Sequence, residues 1–147
     1  MFLLPCILLV DDNPTVNFLN KDLLSRLRVA ERLLVAQDGQ EALTLLQCGT
    51  SPEPECPALI LLDMQMPGMD GAEFLEAYQQ LPLALRQRIV VLMLTTSLSL
   101  NDQQRVERFP VHGFISKPLD EAKVRDILRQ HFGKELPAAR ASAPSWA

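Results

Sequence analysis

Three runs of this chain are apolar from end to end: CILLV (6–10), ALILL (58–62) and IVVLML (89–94). A strand with one face in water alternates polar and apolar residues, whereas a strand without a polar face must be covered on both sides. Such strands belong to parallel sheets sandwiched between helices. The first run lies near the N-terminus, in MFLLPCILLV, but it has no basic leader and contains Pro5. It runs directly into Asp11-Asp12. That is too short for a membrane span and a poor signal peptide, so it reads as a buried first strand.

Helical patterns fill the intervals. After residues 6–10, Asn13 suits a helix N-cap and Pro14 the first helical position. Val16, Leu19, Leu23, Leu24 and Leu27 then recur at helical spacing and predict an inward apolar stripe. RLLVAQDG (32–39) reads as a second strand closed by an Asp38-Gly39 turn, and QEALTLLQC (40–48) as a short helix. TSPEPECP (50–57), with three prolines, reads as a loop before strand three (58–63). Asp70 and Glu73 form a capping-box pattern ahead of a helix over 72–81. Strand four covers 89–96, a weaker helix 100–109, and a short fifth strand lies within HGFISKP (112–118). Asp120 can cap a last helix with Val124, Ile127, Leu128 and Phe132 on one face, stopped by Gly133. Five strands alternating with five helices predict βαβ crossovers and a three-layer α/β sandwich.

The 147 residues suffice for one domain, expected over 1–133. The Ala/Pro/Ser-rich stretch 134–147 is expected to be a disordered tail, and Trp146 within it has no assigned role. With 48% hydrophobic and 22% charged residues the chain is globular. A net charge of -4 argues against nucleic-acid binding. Cys6, Cys48 and Cys56 lack metal or CxxC spacing and read as reduced thiols of a cytoplasmic protein. Neither His112 nor His131 has a metal-spaced partner.

Ligands of open parallel sheets bind beyond the carboxyl ends of the strands, where strand order reverses. At those ends stand Asp11-Asp12, Asp63, Thr95-Thr96 and Lys117-Pro118. Two carboxylates about 4 Å apart repel by roughly 4 kcal/mol at an effective dielectric of 20. Three gathered on one rim call for a cation or a proton. Oxygen ligands suit Mg²⁺, which favours sites completed by phosphate oxygens. Lysine and threonine suit phosphoryl oxygens. These are the parts that phosphoryl transfer onto a carboxylate requires: a nucleophile, a metal and donors.

LLVDDN, LILLDMQMPGMDG, VVLMLTTS and GFISKPL, in that order over roughly residues 5–133, resemble the receiver domain of bacterial two-component response regulators of the CheY-like single-domain kind. The resemblance implies a doubly wound, flavodoxin-like five-stranded parallel sheet in the order 2-1-3-4-5, flanked by five helices. It implies Asp63 as the phosphoacceptor, with Mg²⁺ or Mn²⁺ held by Asp11, Asp12, Asp63 and the Gln65 carbonyl. Thr95 and Phe114 correspond to the switch pair, and Lys117 to the lysine that contacts the phosphoryl group. The Lys117–Pro118 peptide is expected to be cis. The implied partners are a sensor histidine kinase or histidine phosphotransfer protein and a downstream protein, met through the face of helix 4, strand 5 and helix 5. No DNA-binding effector domain is expected, and the chain is expected to be a monomer or a phosphorylation-dependent dimer that turns over no separate substrate. Thr96 is larger than is frequent at its position and could narrow access for the phosphodonor. Phe114 lacks a tyrosine's hydroxyl. Gln65 and Ser97 stand where the family tunes hydrolysis of the acyl phosphate.

Other readings fit less well. Phosphatases of the haloacid dehalogenase type need an acid two residues after the nucleophile, where this chain has Gln65. No GxxxxGK[ST] or strand-linked GxGxxG is present. A receiver that takes no phosphate and serves as a constitutive docking module is the remaining alternative. Gly68 and Gly71 are expected as turn residues with positive φ.

Overall fold

A computed structural model describes residues 3–46, 57–64, 66, 68–96 and 100–136. Five parallel strands form one sheet: β1 (Leu4–Val10), β2 (Ala30–Ala36), β3 (Leu59–Asp63), β4 (Val90–Thr95) and β5 (Gly113–Ser116). Their order is β2-β1-β3-β4-β5. The chain moves outward from β1 to β2, returns across β1 to β3, and proceeds to β5. The direction of winding therefore reverses between β1 and β3, whose ends carry Asp11 and Asp63.

Alternate residues of each strand face opposite layers. Leu8, Val10, Ile60, Leu62, Val91 and Met93 join the core formed with α2 (Gly39–Leu46), α3 (Gly71–Tyr78), α4 (Leu83–Arg86) and α5 (Leu100–Glu107). Ile7, Leu9, Leu59, Leu61, Leu92 and Leu94 join the core formed with α1 (Pro14–Arg26) and α6 (Glu121–Ile127). Both faces being covered explains the unbroken apolar runs.

Local signals account for the helix ends. Asn13 Oδ1 accepts from the N–H groups of Thr15 and Val16, and Pro14 opens α1. Asp70 and Glu73 close a reciprocal capping box on α3. Asp120 accepts from Lys123 N–H at the start of α6. A π-helical turn (Leu128–Phe132) follows α6, and Gly133 ends it at φ +62°.

The structure departs from expectation at five points. Pro5 does not precede β1 but lies in its first residues, exposed, where a missing N–H is tolerated. Asp38-Gly39 is not the end of β2: Asp38 Oδ1 accepts from Glu41 N–H at 2.8 Å and caps α2, which Gly39 begins. α4 is an additional helical turn, so the helix expected over 100–109 is α5 and the last helix is α6. The chain stays on the domain beyond residue 133, and Leu136 is buried in the core beside α1 and α6. The fifth departure concerns α1. Leu19 is 57% exposed, and the buried line is Asn17, Asn20 and Leu24. The reason lies in the site that this helix borders.

Candidate functional site

Asp11 follows the last residue of β1 and is buried. Its Oδ1 accepts from Asn13 N–H at 2.9 Å, and its main-chain carbonyl accepts from the Asn17 side-chain amide at 2.8 Å. An inward leucine at position 17 would leave that carbonyl short of a donor, so the first turns of α1 bury amides instead. Asp12 is exposed. Asp63 ends β3 and is buried. Each of the three carboxylates offers an oxygen within 4.8 Å of the others'.

Lys117 follows β5 and turns inward. Its Nζ donates to Asp11 Oδ2 at 2.8 Å and to Asp63 Oδ1 at 3.1 Å. Burial pulls the ammonium's pKa down. Its hydrogen bonds to Asp11 and Asp63, with the charges of both, outweigh that pull and hold it above its ordinary value. Thr95, buried at the end of β4, accepts from Lys117 N–H through its carbonyl at 2.7 Å. The Lys117–Pro118 peptide is cis.

The sequence-derived set thus converges at one rim in Asp11, Asp12, Asp63, Thr95 and Lys117. Phe114 stands one turn of the pleat away, in β5 opposite Met93, half-buried against the α2–α5 layer. Gln65 and Ser97 lie outside the described residues, as do Cys48, Cys56 and Trp146. Thr96 is exposed and lines a cavity of about 370 Å³ with Val16, Leu19, Asn20, Lys117 and Leu119. The cavity shares Lys117 with the acidic rim.

Residues whose part in the site the sequence reading missed complete it. Asn17 supports Asp11, as above. Gly71 does not have positive φ, unlike Gly68 at +78°. It is glycine because a Cβ would meet the Asp63 carbonyl oxygen at 2.9 Å and Met64 Cα at 3.0 Å. Its N–H donates to the Met64 carbonyl at 2.9 Å, docking α3 against the strand end that carries Asp63. Asp70 Oδ2 also pairs with Arg105 of α5 at 2.9 Å.

Chemically, three carboxylates against one ammonium leave two negative charges when all are ionised. Hard oxygen donors with that excess fit a small divalent cation. The donors number too few to saturate it, which leaves coordination positions for phosphoryl oxygens.

The site is thus a lysine-bridged acidic rim at the point where a doubly wound sheet reverses. The chain belongs to the response regulator receiver domain family, which it matches over residues 7–129. It is 33% identical to response regulator Rcp1 of Synechocystis over 142 residues, covering 90% of this chain and 93% of that protein. The solved Mn²⁺-bound form of Rcp1 superimposes with a TM-score of 0.69 at 30% identity, covering 90% and 99% of the two chains. A two-component response regulator from Cytophaga hutchinsonii superimposes with a TM-score of 0.77 at 27% identity, covering 89% and 98%. The phosphorylated cyanobacterial phytochrome response regulator RcpA does so with a TM-score of 0.71 at 28% identity, covering 90% and 98%. Among the described residues, no helix is long and apolar enough to cross a membrane.

Proposed function

We propose that this receiver domain is a phosphorylation switch with Asp63 as acceptor. The observation that carries the reading is the bridge from the Lys117 ammonium to Asp11 and Asp63 at 2.8 and 3.1 Å, beside a third acid. A carboxylate oxygen of Asp63 attacks the phosphorus of a phosphohistidine on a sensor kinase or phosphotransfer protein. A P–O bond forms, the P–N bond breaks, and the imidazole keeps the electron pair and takes a proton. Asp11, Asp12 and Asp63, with the Gln65 carbonyl, would hold Mg²⁺ or Mn²⁺, which supplies neutralising charge for the phosphoryl oxygens. Lys117 is already at the acceptor oxygen and follows the new phosphoryl group. The Thr95 hydroxyl donates to it as well. Donors prearranged around developing charge are the main catalytic device in phosphoryl transfer.

The donor approaches over α1, where Phe18 and Leu19 are 69% and 57% exposed and Leu19 lines the cavity at Thr96. Movement of Thr95 and Phe114 then biases the face of α5, β5 and α6, which meets a downstream protein or a second copy of the chain. Leu100, 71% exposed on α5, supports that face as a contact surface. The domain works in the cytoplasm and assists only its own phosphorylation and dephosphorylation.

Intact mass after incubation with acetyl phosphate and Mg²⁺ tests the proposal. Wild type gains one phosphoryl group. The gain disappears without Mg²⁺ and in Asp63→Ala. If neither acetyl phosphate nor beryllofluoride changes the wild-type protein, the switch reading falls and the constitutive docking module takes its place.

A further inference from the structure

Lys117 is only as well placed as the main chain that carries it. Its own N–H is fixed on the Thr95 carbonyl at 2.7 Å. The carbonyls on either side of it, of Ser116 and Pro118, accept from one and the same donor. That donor is the ammonium of Lys123, at 2.8 Å to each. Lys123 lies in the first turn of α6, with its N–H on Asp120 Oδ1 at 2.9 Å and its neighbour Val124 buried in the core. One charged group anchored on a packed helix therefore straddles the residue that reaches the acids. Charged donors bind carbonyls more tightly than neutral ones.

We propose that Lys123 is a positioning residue for Lys117. It clamps the segment 116–118 to α6, so that the Lys117 ammonium meets Asp11 and Asp63 without a search. The catalytic consequence rests on the phosphoryl-transfer reading above, whereas the clamp itself rests on the two hydrogen bonds alone. Lys123→Met keeps the aliphatic stem and loses both donations. Small displacements of a positioned group are costly, and phosphorylation by acetyl phosphate is expected to slow about tenfold at saturating donor. Lys123→Arg, which can still donate to two carbonyls, is expected to recover most of the rate.

The discriminating experiment is a double-mutant cycle with Lys117→Met, read by phosphorylation rate, alongside hydrogen exchange at the Lys117 N–H in the unphosphorylated proteins. If Lys123 acts through Lys117, Lys123→Met slows wild type but adds nothing in the Lys117→Met background, and Lys117 N–H exchanges faster. A wild-type rate in Lys123→Met, or an equal fold-loss in both backgrounds, overturns the proposal. Urea unfolding separates a general loss of stability, which would slow both backgrounds alike. Should wild type take no phosphoryl group, the switch reading fails on its own, and the amide still decides the clamp. Faster exchange in Lys123→Met upholds it and unchanged exchange refutes it.

Discussion

The Asn17 side-chain amide donates to the main-chain carbonyl of Asp11 at 2.8 Å, joining the second turn of α1 to the end of β1. The bond is buried, and its loss leaves a carbonyl unsatisfied at the acidic rim. Asn17→Ala is expected to lower unfolding free energy by about 1–3 kcal/mol. Asn17→Asp, which sets a carboxylate against a carbonyl, is expected to cost more. Urea denaturation of the two variants ranks them. Weaker Mg²⁺ binding by Asn17→Ala in titration calorimetry would show that the bond also aims Asp11.

On the proposed function, Lys117 and a divalent cation would compete for the same carboxylates. Lys117→Met removes a positive charge from the cluster and is expected to tighten Mg²⁺ binding about tenfold, equivalent to about 1.4 kcal/mol. The same variant is expected to lose most of its phosphorylation by acetyl phosphate, so affinity and rate move in opposite directions. The linkage has a definite sign. The ammonium's pKa is raised in the fold, so its contribution to stability is complete below the ordinary value of 10.5 and fades as pH rises through the raised one. The alkaline limb of the wild-type stability curve should therefore be less steep in Lys117→Met.

A methyl group at position 71 would press on the backbone of the strand that ends in the proposed acceptor, Asp63. The two closest atoms it meets are the Asp63 carbonyl oxygen and Met64 Cα at 2.9 and 3.0 Å, neither of them a flexible side-chain end, ahead of Met93 Cε at 3.1 Å. Gly71→Ala is expected to destabilise by about 1–3 kcal/mol, as overpacking does. It should slow phosphorylation as well, because relief requires the end of β3 to shift. An unchanged rate with reduced stability would localise the strain to α3.

His131 meets His112 edge-on at 6.3 Å, and His112 Nδ1 accepts from the Val91 N–H at 3.0 Å. Burial, and then the neighbouring His112, hold the His131 pKa below its ordinary 6.5. A histidine with a depressed pKa leaves stability intact above 6.5 and withdraws it as pH falls through the lower folded value. Urea midpoints are therefore expected to fall from pH 7.5 to pH 5.5 in wild type and to fall less in His131→Gln.

The sheet was legible because its three central strands are apolar on both faces, a pattern few other environments tolerate. The rim was legible because its residues stand at or just past strand ends: Asp11, Asp63, Thr95 and Lys117 need no tertiary knowledge beyond strand order. α1 was misread only in its first turns, for a physical reason. Leu23, Leu24 and Leu27 pack on the core as their spacing predicted, but Leu19 stays exposed, because the face turned inward beside the rim must satisfy a main-chain carbonyl. The polar line Asn13, Asn17, Asn20 recurs at intervals of four and three, and was the signal available. Lys123 is one of several exposed-looking lysines in sequence, and only the fold of the loop ahead of α6 brings two carbonyls to it. Gly71 looked like a turn glycine because Pro67, Gly68 and Asp70 are turn-forming. Its real constraint, a backbone passing 2.9 Å away, has no sequence signature.

The pairing of Lys117 with Asp11 and Asp63 bears on the life of the chain before any signal reaches it. Buried acids that must wait for a metal make folding hostage to that metal, as in small zinc domains. Here the chain brings its own provisional counter-ion on β5's trailing end, so the acidic rim can assemble in a metal-poor solution. The domain is therefore expected to stay folded under chelation. If Asp63 accepts phosphate as proposed, metal availability would govern when it is charged, and not whether it folds.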